Sequence, residues 1–259
     1  MLIGFPTVRL RSTADAPLAH WVARLEDVFP DGRVSLVTGG ALNGSQRQDR
    51  LRPSALVPGE MADLAFDLRF TTWTFRPGHR IPLAVSNSQF PMLWPTPHAM
   101  TARLLVGDPA TWLELPFVSP ASHPAPVLGR PPALPSRPDA RRLEARAPAA
   151  APTPSSVSST DVTTWRKGGS DRYRIGARLF EVEESCTYSV PRSNPAAAAF
   201  LGHETTRIVE PGRTLELATT VEVRSDATHL EAKFERRLAV DGRPVRRRCW
   251  KSRVPREFN

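Results

Sequence analysis

Cysteine is nearly absent, with only Cys186 and Cys249 in 259 residues, and neither belongs to a Cys-x-x-Cys pair. A disulfide scaffold and a cysteine-rich zinc module are thereby excluded. One cross-link between these two stays open beside two reduced thiols. Lysine is also scarce: all but three of the 35 basic side chains are arginine. No apolar run approaches the ~18 residues of a membrane-spanning helix. Met-Leu-Ile-Gly-Phe-Pro lacks the basic stretch and apolar run of a secretory leader. These absences predict a cytoplasmic chain without a membrane partner.

Catalytic signatures are missing as well. No Gly-x-Ser-x-Gly occurs, and neither Asn43-Gly44-Ser45-Gln46 nor Gly168-Gly169-Ser170-Asp171 has the second glycine that a nucleophile elbow needs. No P-loop, Gly-x-Gly-x-x-Gly or His-Glu-x-x-His is present. The six histidines are dispersed, no two within five residues, so no metal or cofactor site is predicted.

Proline is abundant, 27 residues, which argues against a mainly helical chain. The net charge of +9 is spread along the sequence apart from Arg246-Arg247-Arg248. That distribution reads as coding bias and a solvated strand edge, and no nucleic-acid partner is predicted.

Three regions separate by composition: 1–120, a Pro/Ala-rich stretch 121–160 that reads as an extended linker, and 161–259. Period-two alternation marks strands. Leu64, Phe66, Leu68 and Phe70 fall on one face, Val8 and Leu10 alternate with arginines, and Ile81, Leu83 and Val85 repeat the pattern. Asp31-Gly32 and Asp241-Gly242 read as hairpin turns, and Pro58-Gly59 and Pro77-Gly78 as further turns. Beyond 161, Tyr173–Val190, Arg213–Arg224, Thr228–Val240 and Pro244–Arg253 read as a meander. A short helix is expected over Asn194–Leu201, with Asn194 as cap and Pro195 at its first position. The fold class is all-β: a jelly-roll sandwich with a β-rich extension packing on it.

An ordered motif string resembles a known family. It runs through Thr13-Ala14-Asp15-Ala16, Arg24 to Gly32, Val37 to Asn43 and Leu56-Val57-Pro58-Gly59. It continues through Phe75 to Ile81, Ser86 to Pro91 and Trp94-Pro95-Thr96-Pro97, and Arg248 to Glu257 extends it at the other end. Together these resemble the C-terminal β-domain, of galactose-binding-like jelly-roll type, in X-Pro dipeptidyl-peptidase and cocaine-esterase-like serine hydrolases (the CocE/NonD family). The resemblance implies an α/β-hydrolase domain that precedes this one and carries a Ser-His-Asp triad for ester or peptide hydrolysis. The motif string begins at Gly4, so that domain is expected elsewhere, in trans or on a longer parent chain. The chain is therefore expected to be non-catalytic alone, with no catalytic, cofactor or metal residues. His79 and Trp94 are the candidate contacts to a partner or pocket rim. Arg80 is expected to pair with a carboxylate such as Asp27. A homo-oligomer is a further possible assembly, and a free carbohydrate- or ligand-binding sandwich using the six tryptophans is the alternative function.

Overall fold

Residues 1–118, 129–130, 140–146 and 161–258 are described by the computed structural model. The chain divides into two compact units, Met1–Arg130 with Phe258, and Pro131–Glu257. Both are built of antiparallel β-sheet, so the protein is all-β.

The first unit opens with Leu2–Gly4 (β1), Thr7–Ala14 (β2), His20–Val28 (β3) and Val34–Asn43 (β4). Ala62–Asp67 (β5), Thr71–Trp73 (β6), Leu83–Ser86 (β7), Ala102–Leu104 (β8) and Trp112–Glu114 (β9) follow. One sheet runs β5-β2-β8 with β9 also on β2, a second runs β4-β3-β7, and β1 pairs with β6. The period of two decides which side chains turn inward. Val8 and Leu10 from β2, Leu64 and Phe66 from β5, and Trp21, Ala23 and Leu25 from β3 form one buried cluster between the sheets. Buried Ser12 links the layers, accepting the Trp21 indole N–H at 3.0 Å and donating to the Arg103 carbonyl at 2.8 Å. Phe70 departs from the expected face and is exposed. Strand β5 ends at Asp67, and the chain crosses to β6 through Leu68, whose N–H donates to the Pro6 carbonyl. The alternation is broken there, and Phe70 instead meets Phe5 edge-on at 5.4 Å.

The second unit is a single seven-stranded meander. Its strands are Ala140–Arg146 (β10), Val162–Ile175 (β11), Arg178–Pro191 (β12), Ala199–Glu210 (β13), Arg213–Ser225 (β14), His229–Val240 (β15) and Arg243–Pro255 (β16), each paired with the next. Strand β10 lies in the stretch read as linker. A Pro/Ala average over forty residues concealed a seven-residue window without proline, free to donate ladder hydrogen bonds. The rest of the expected linker, other than residues 129–130, lies outside the described residues. The turn Asp241-Gly242 joins β15 to β16 with both φ positive, 51° and 74°, as a two-residue hairpin loop of primed type requires.

The helix expected over Asn194–Leu201 is a three-residue 3-10 turn, Pro195–Ala197, and the Asn194 side chain does not cap it. From Ala199 the chain pairs with β12 on one side and β14 on the other, so ladder hydrogen bonds on both flanks prevail over local helical signals. The disulfide alternative fails on distance. Cys186 and Cys249 are free, on strands four apart, roughly 19 Å at the usual strand spacing.

The meander's two faces differ sharply. One carries Arg172, Glu181, Arg207 and Glu216 as a chain of cross-strand ion pairs, and Glu235 between Arg237 and Arg247 at 2.6 and 2.9 Å. The other carries Tyr173 against Phe180, Tyr188 against Phe200 and Phe234 against Trp250, with ring centroids 4.7–5.3 Å apart. Hydrogen bonds from Arg247 and Arg237 lower the Glu235 carboxyl from its ordinary 4.5 to about 2. A lowered folded-state value means that this carboxylate stabilises the fold above the ordinary glutamate range. Its contribution is lost as pH falls from about 4.5 to about 2. The expected result is a Glu235→Gln thermal midpoint below wild type at pH 6, with the gap closing as pH approaches 2. A gap independent of pH would refute the assignment.

Candidate functional site

Strand β3 places Trp21, Ala23, Leu25 and Asp27 on the same inward parity. The β3–β4 register shift lies between Leu25 and Glu26, where the extra residue is Val37 on β4, so β3 keeps its own alternation. A carboxylate therefore stands where an apolar side chain would, and Asp27 is 1% exposed. Two groups satisfy it. The Trp73 indole N–H from β6 donates to Oδ2 at 3.0 Å, and His79 Nδ1 lies 2.8 Å from Oδ1. His79 follows the Pro77-Gly78 turn, in which Gly78 takes φ +82° and the His79 N–H donates to the Arg76 carbonyl. Its ring is 8% exposed and rests on Phe29, with centroids 4.6 Å apart.

The expected Asp27–Arg80 pairing is corrected by one residue. Arg80 uses its backbone, bridged to Val28, and its side chain is exposed, while His79 on the opposite parity turns inward. No signal separates the two in sequence, because a turn of unknown length precedes them.

An imidazole hydrogen-bonded to a buried carboxylate is two thirds of a hydrolytic triad. The remaining third is missing around this ring: among the described residues no serine, threonine or cysteine side chain hydrogen-bonds to His79. The pair ties the Pro77–Gly78 turn and β6 to β3. Among the described residues no cluster of three or more His, Cys, Asp or Glu could hold a metal ion. No helix there is long and apolar enough to cross a membrane.

Trp94 occupies the loop after β7, partly buried, with Phe90 edge-on at 5.9 Å beyond the cis Phe90-Pro91 bond. Trp94 and His79 thus sit in different surroundings, a surface loop and the wall of the core. Of the other tryptophans, Trp21 is buried and Trp73 has its N–H engaged by Asp27, so neither offers a free ring to a sugar. Phe5 and Phe70, 60% and 55% exposed, form an aromatic patch that strand alternation did not anticipate.

The first unit is thus a β-sandwich with a buried imidazole–carboxylate pair in its wall. Residues 1–114 match the X-Pro dipeptidyl-peptidase C-terminal non-catalytic domain. Cocaine esterase of Rhodococcus sp. (strain MB1 Bresler) is 36% identical over 88 residues, 34% of this chain and 15% of the esterase. A Mycobacterium bovis protein provisionally named a serine esterase is 31% identical over 140 residues, 45% of this chain and 22% of its own. Among solved structures, an aminopeptidase from a marine sediment archaeon (Thaumarchaeota archaeon) matches 46% of this chain and 23% of its own, at 25% identity and a TM-score of 0.43. The chain spans less than a quarter of each of these relatives.

Proposed function

We propose that the first unit is an accessory module that docks on a Ser-His-Asp α/β-hydrolase domain, walls part of its substrate pocket and hydrolyses nothing itself. The hydrolase domain is carried in trans or on a longer polypeptide. The observation that carries this reading is the match of residues 1–114 to a domain described as non-catalytic. The names of the matched family and of its esterase relative support ester or peptide hydrolysis as the activity served. In this reading the sandwich is a jelly roll of galactose-binding-like type, and residues 161–259 extend it. The exposed Phe5–Phe70 pair supplies apolar docking surface, Trp94 touches the pocket rim, and His79 acts from within by holding its turn. The free thiols favour a cytoplasmic setting.

Capture from source cells followed by labelling with a fluorophosphonate tests the reading, since the reagent modifies only an activated serine. The expected result is an unlabelled purified chain together with a labelled serine hydrolase, either co-captured or fused to it. Phe5→Ser/Phe70→Ser should weaken co-capture at least tenfold. Labelling of the isolated chain, or its own turnover of p-nitrophenyl esters or aminoacyl-proline anilides, would overturn it.

A further inference from the structure

The meander of the second unit has an apolar face without a core. A sheet with one apolar face must bury it against another layer. Yet among the described residues of this unit, Ala196 and Ala198, both beside the 3-10 turn, are the fully buried apolar side chains. Tyr173, Phe180, Tyr188, Phe200, Leu217 and Phe234 on that face are all only partly buried, and Trp250 is 46% exposed.

Four charged residues of the same face lie in one row, with Lys167, Asp171 and Arg246 on that face outside it. Directly opposed residues of an antiparallel ladder share a face. The register pairs Glu184 of β12 with Glu204 of β13, Glu204 with Thr219 of β14, Thr219 with Arg236 of β15, and Arg236 with Arg248 of β16. Across five strands the row reads Glu, Glu, Thr, Arg, Arg. Within one chain this opposes like charges at both ends, which disfavours the ladder. Glu184 has Lys167 at 3.8 Å, Glu204 accepts from Thr206, and Arg236 lies over the Phe234 ring at 5.4 Å. The row is antisymmetric about Thr219. A two-fold axis parallel to β14 and passing over Thr219 sends each strand to the opposite side. Glu184 then faces Arg248 of a second copy, and Glu204 faces its Arg236, twice over.

We infer that this face is a self-association surface, on which two copies of the chain pack sheet to sheet about an axis over Thr219. This goes beyond the docking role of the first unit and uses none of its residues. The area suffices. Five strands of 12–14 residues have a footprint of about 800 Å², which matches what each partner of a standard interface contributes, about 800 Å². A cavity of about 220 Å³ lined by Glu184, Cys186, Phe200, Glu204 and Thr219 gives an incoming arginine room beside the acidic end. Edge-to-edge pairing is disfavoured, because β16 ends the sheet and carries Arg243, Arg246, Arg247, Arg248, Lys251 and Arg253 along it.

Sedimentation of the full chain with two charge-reversed variants tests this. Wild type is expected at twice 28.6 kDa. Glu184→Arg/Glu204→Arg and Arg236→Glu/Arg248→Glu should each dissociate at least 100-fold more readily. An equimolar mixture of the two should recover the dimer, since all four interchain pairs again join opposite charges, two in the wild-type sense and two with the signs exchanged. Circular dichroism checks that each variant is folded, and the single reversals Glu204→Arg and Arg236→Glu replace any double variant that is not. A monomeric wild type, variants that dimerise as wild type does, or a mixture that stays monomeric would each overturn the inference.

Discussion

Replacing Asp27 with alanine lowers the stability of the first unit by about 3–5 kcal/mol. The carboxylate accepts from the Trp73 indole at 3.0 Å and is bonded to the His79 ring at 2.8 Å, all within the wall of the core. Alanine leaves both ring nitrogens without a partner. Each orphaned buried group costs about 1–3 kcal/mol, and the hydrogen bonds lost are to an acidic side chain. Little can reach in to replace them, because Asp27 is almost wholly enclosed. Hydrogen exchange read by mass spectrometry localises the effect. Protection of the peptide covering residues 20–28 should fall by roughly two to three and a half decades, at about 1.4 kcal/mol per decade, while β11–β16 keep theirs. Asp27→Asn preserves one acceptor and should fall less. Unchanged protection in Asp27→Ala would show that the pair contributes nothing to the fold.

Gly40→Ala should destabilise the sandwich by about 2–3 kcal/mol, the range expected for overpacking. An added Cβ would stand 2.7 Å from the Asp67 carbonyl oxygen and 3.2 Å from the Leu68 Cα. Both are backbone atoms at the end of β5, in the other sheet, so no rotamer change relieves the clash and the layers must separate. Its neighbour supplies the control. A Cβ on Gly39 would meet the Ala23 carbonyl at 3.2 Å, which a shift of a few tenths of an ångström accommodates. The urea midpoint of the first unit should therefore drop more for Gly40→Ala than for Gly39→Ala. The reverse order would show that the sheets do not approach at Gly40.

Most of the first unit was legible because its strands are half buried and alternate cleanly. Val8, Leu10, Leu64 and Phe66 all turn inward as their spacing requires. Legibility failed where strands end. Phe70 continued the alternation in sequence but lies beyond the last paired residue of β5. The Asp27–His79 pair was missed for a related reason, since parity across a turn depends on its geometry, and Arg80 was the neighbouring choice. In the second unit β14, β15 and β16 could be read singly, whereas β10 fell in the expected linker, Tyr173–Val190 ran across the β11–β12 turn and β13 was not read as a strand. The charge row of the apolar face could not be read, because it exists only when five registers are aligned.

The sequence by itself determined the all-β class, the hairpin turns, the resemblance of residues 4–106 to a hydrolase C-terminal domain and the lack of a nucleophile elbow. All of these depend on residues close together in the chain, where alternation, glycine and proline act directly on the backbone. Tertiary structure alone decided that Asp27 is held by Trp73 and His79, that β10 interrupts the expected linker, and that Glu184, Glu204, Arg236 and Arg248 lie in one row. Those contacts join residues tens of positions apart, and strand register, a property of the folded ladder, brings them together.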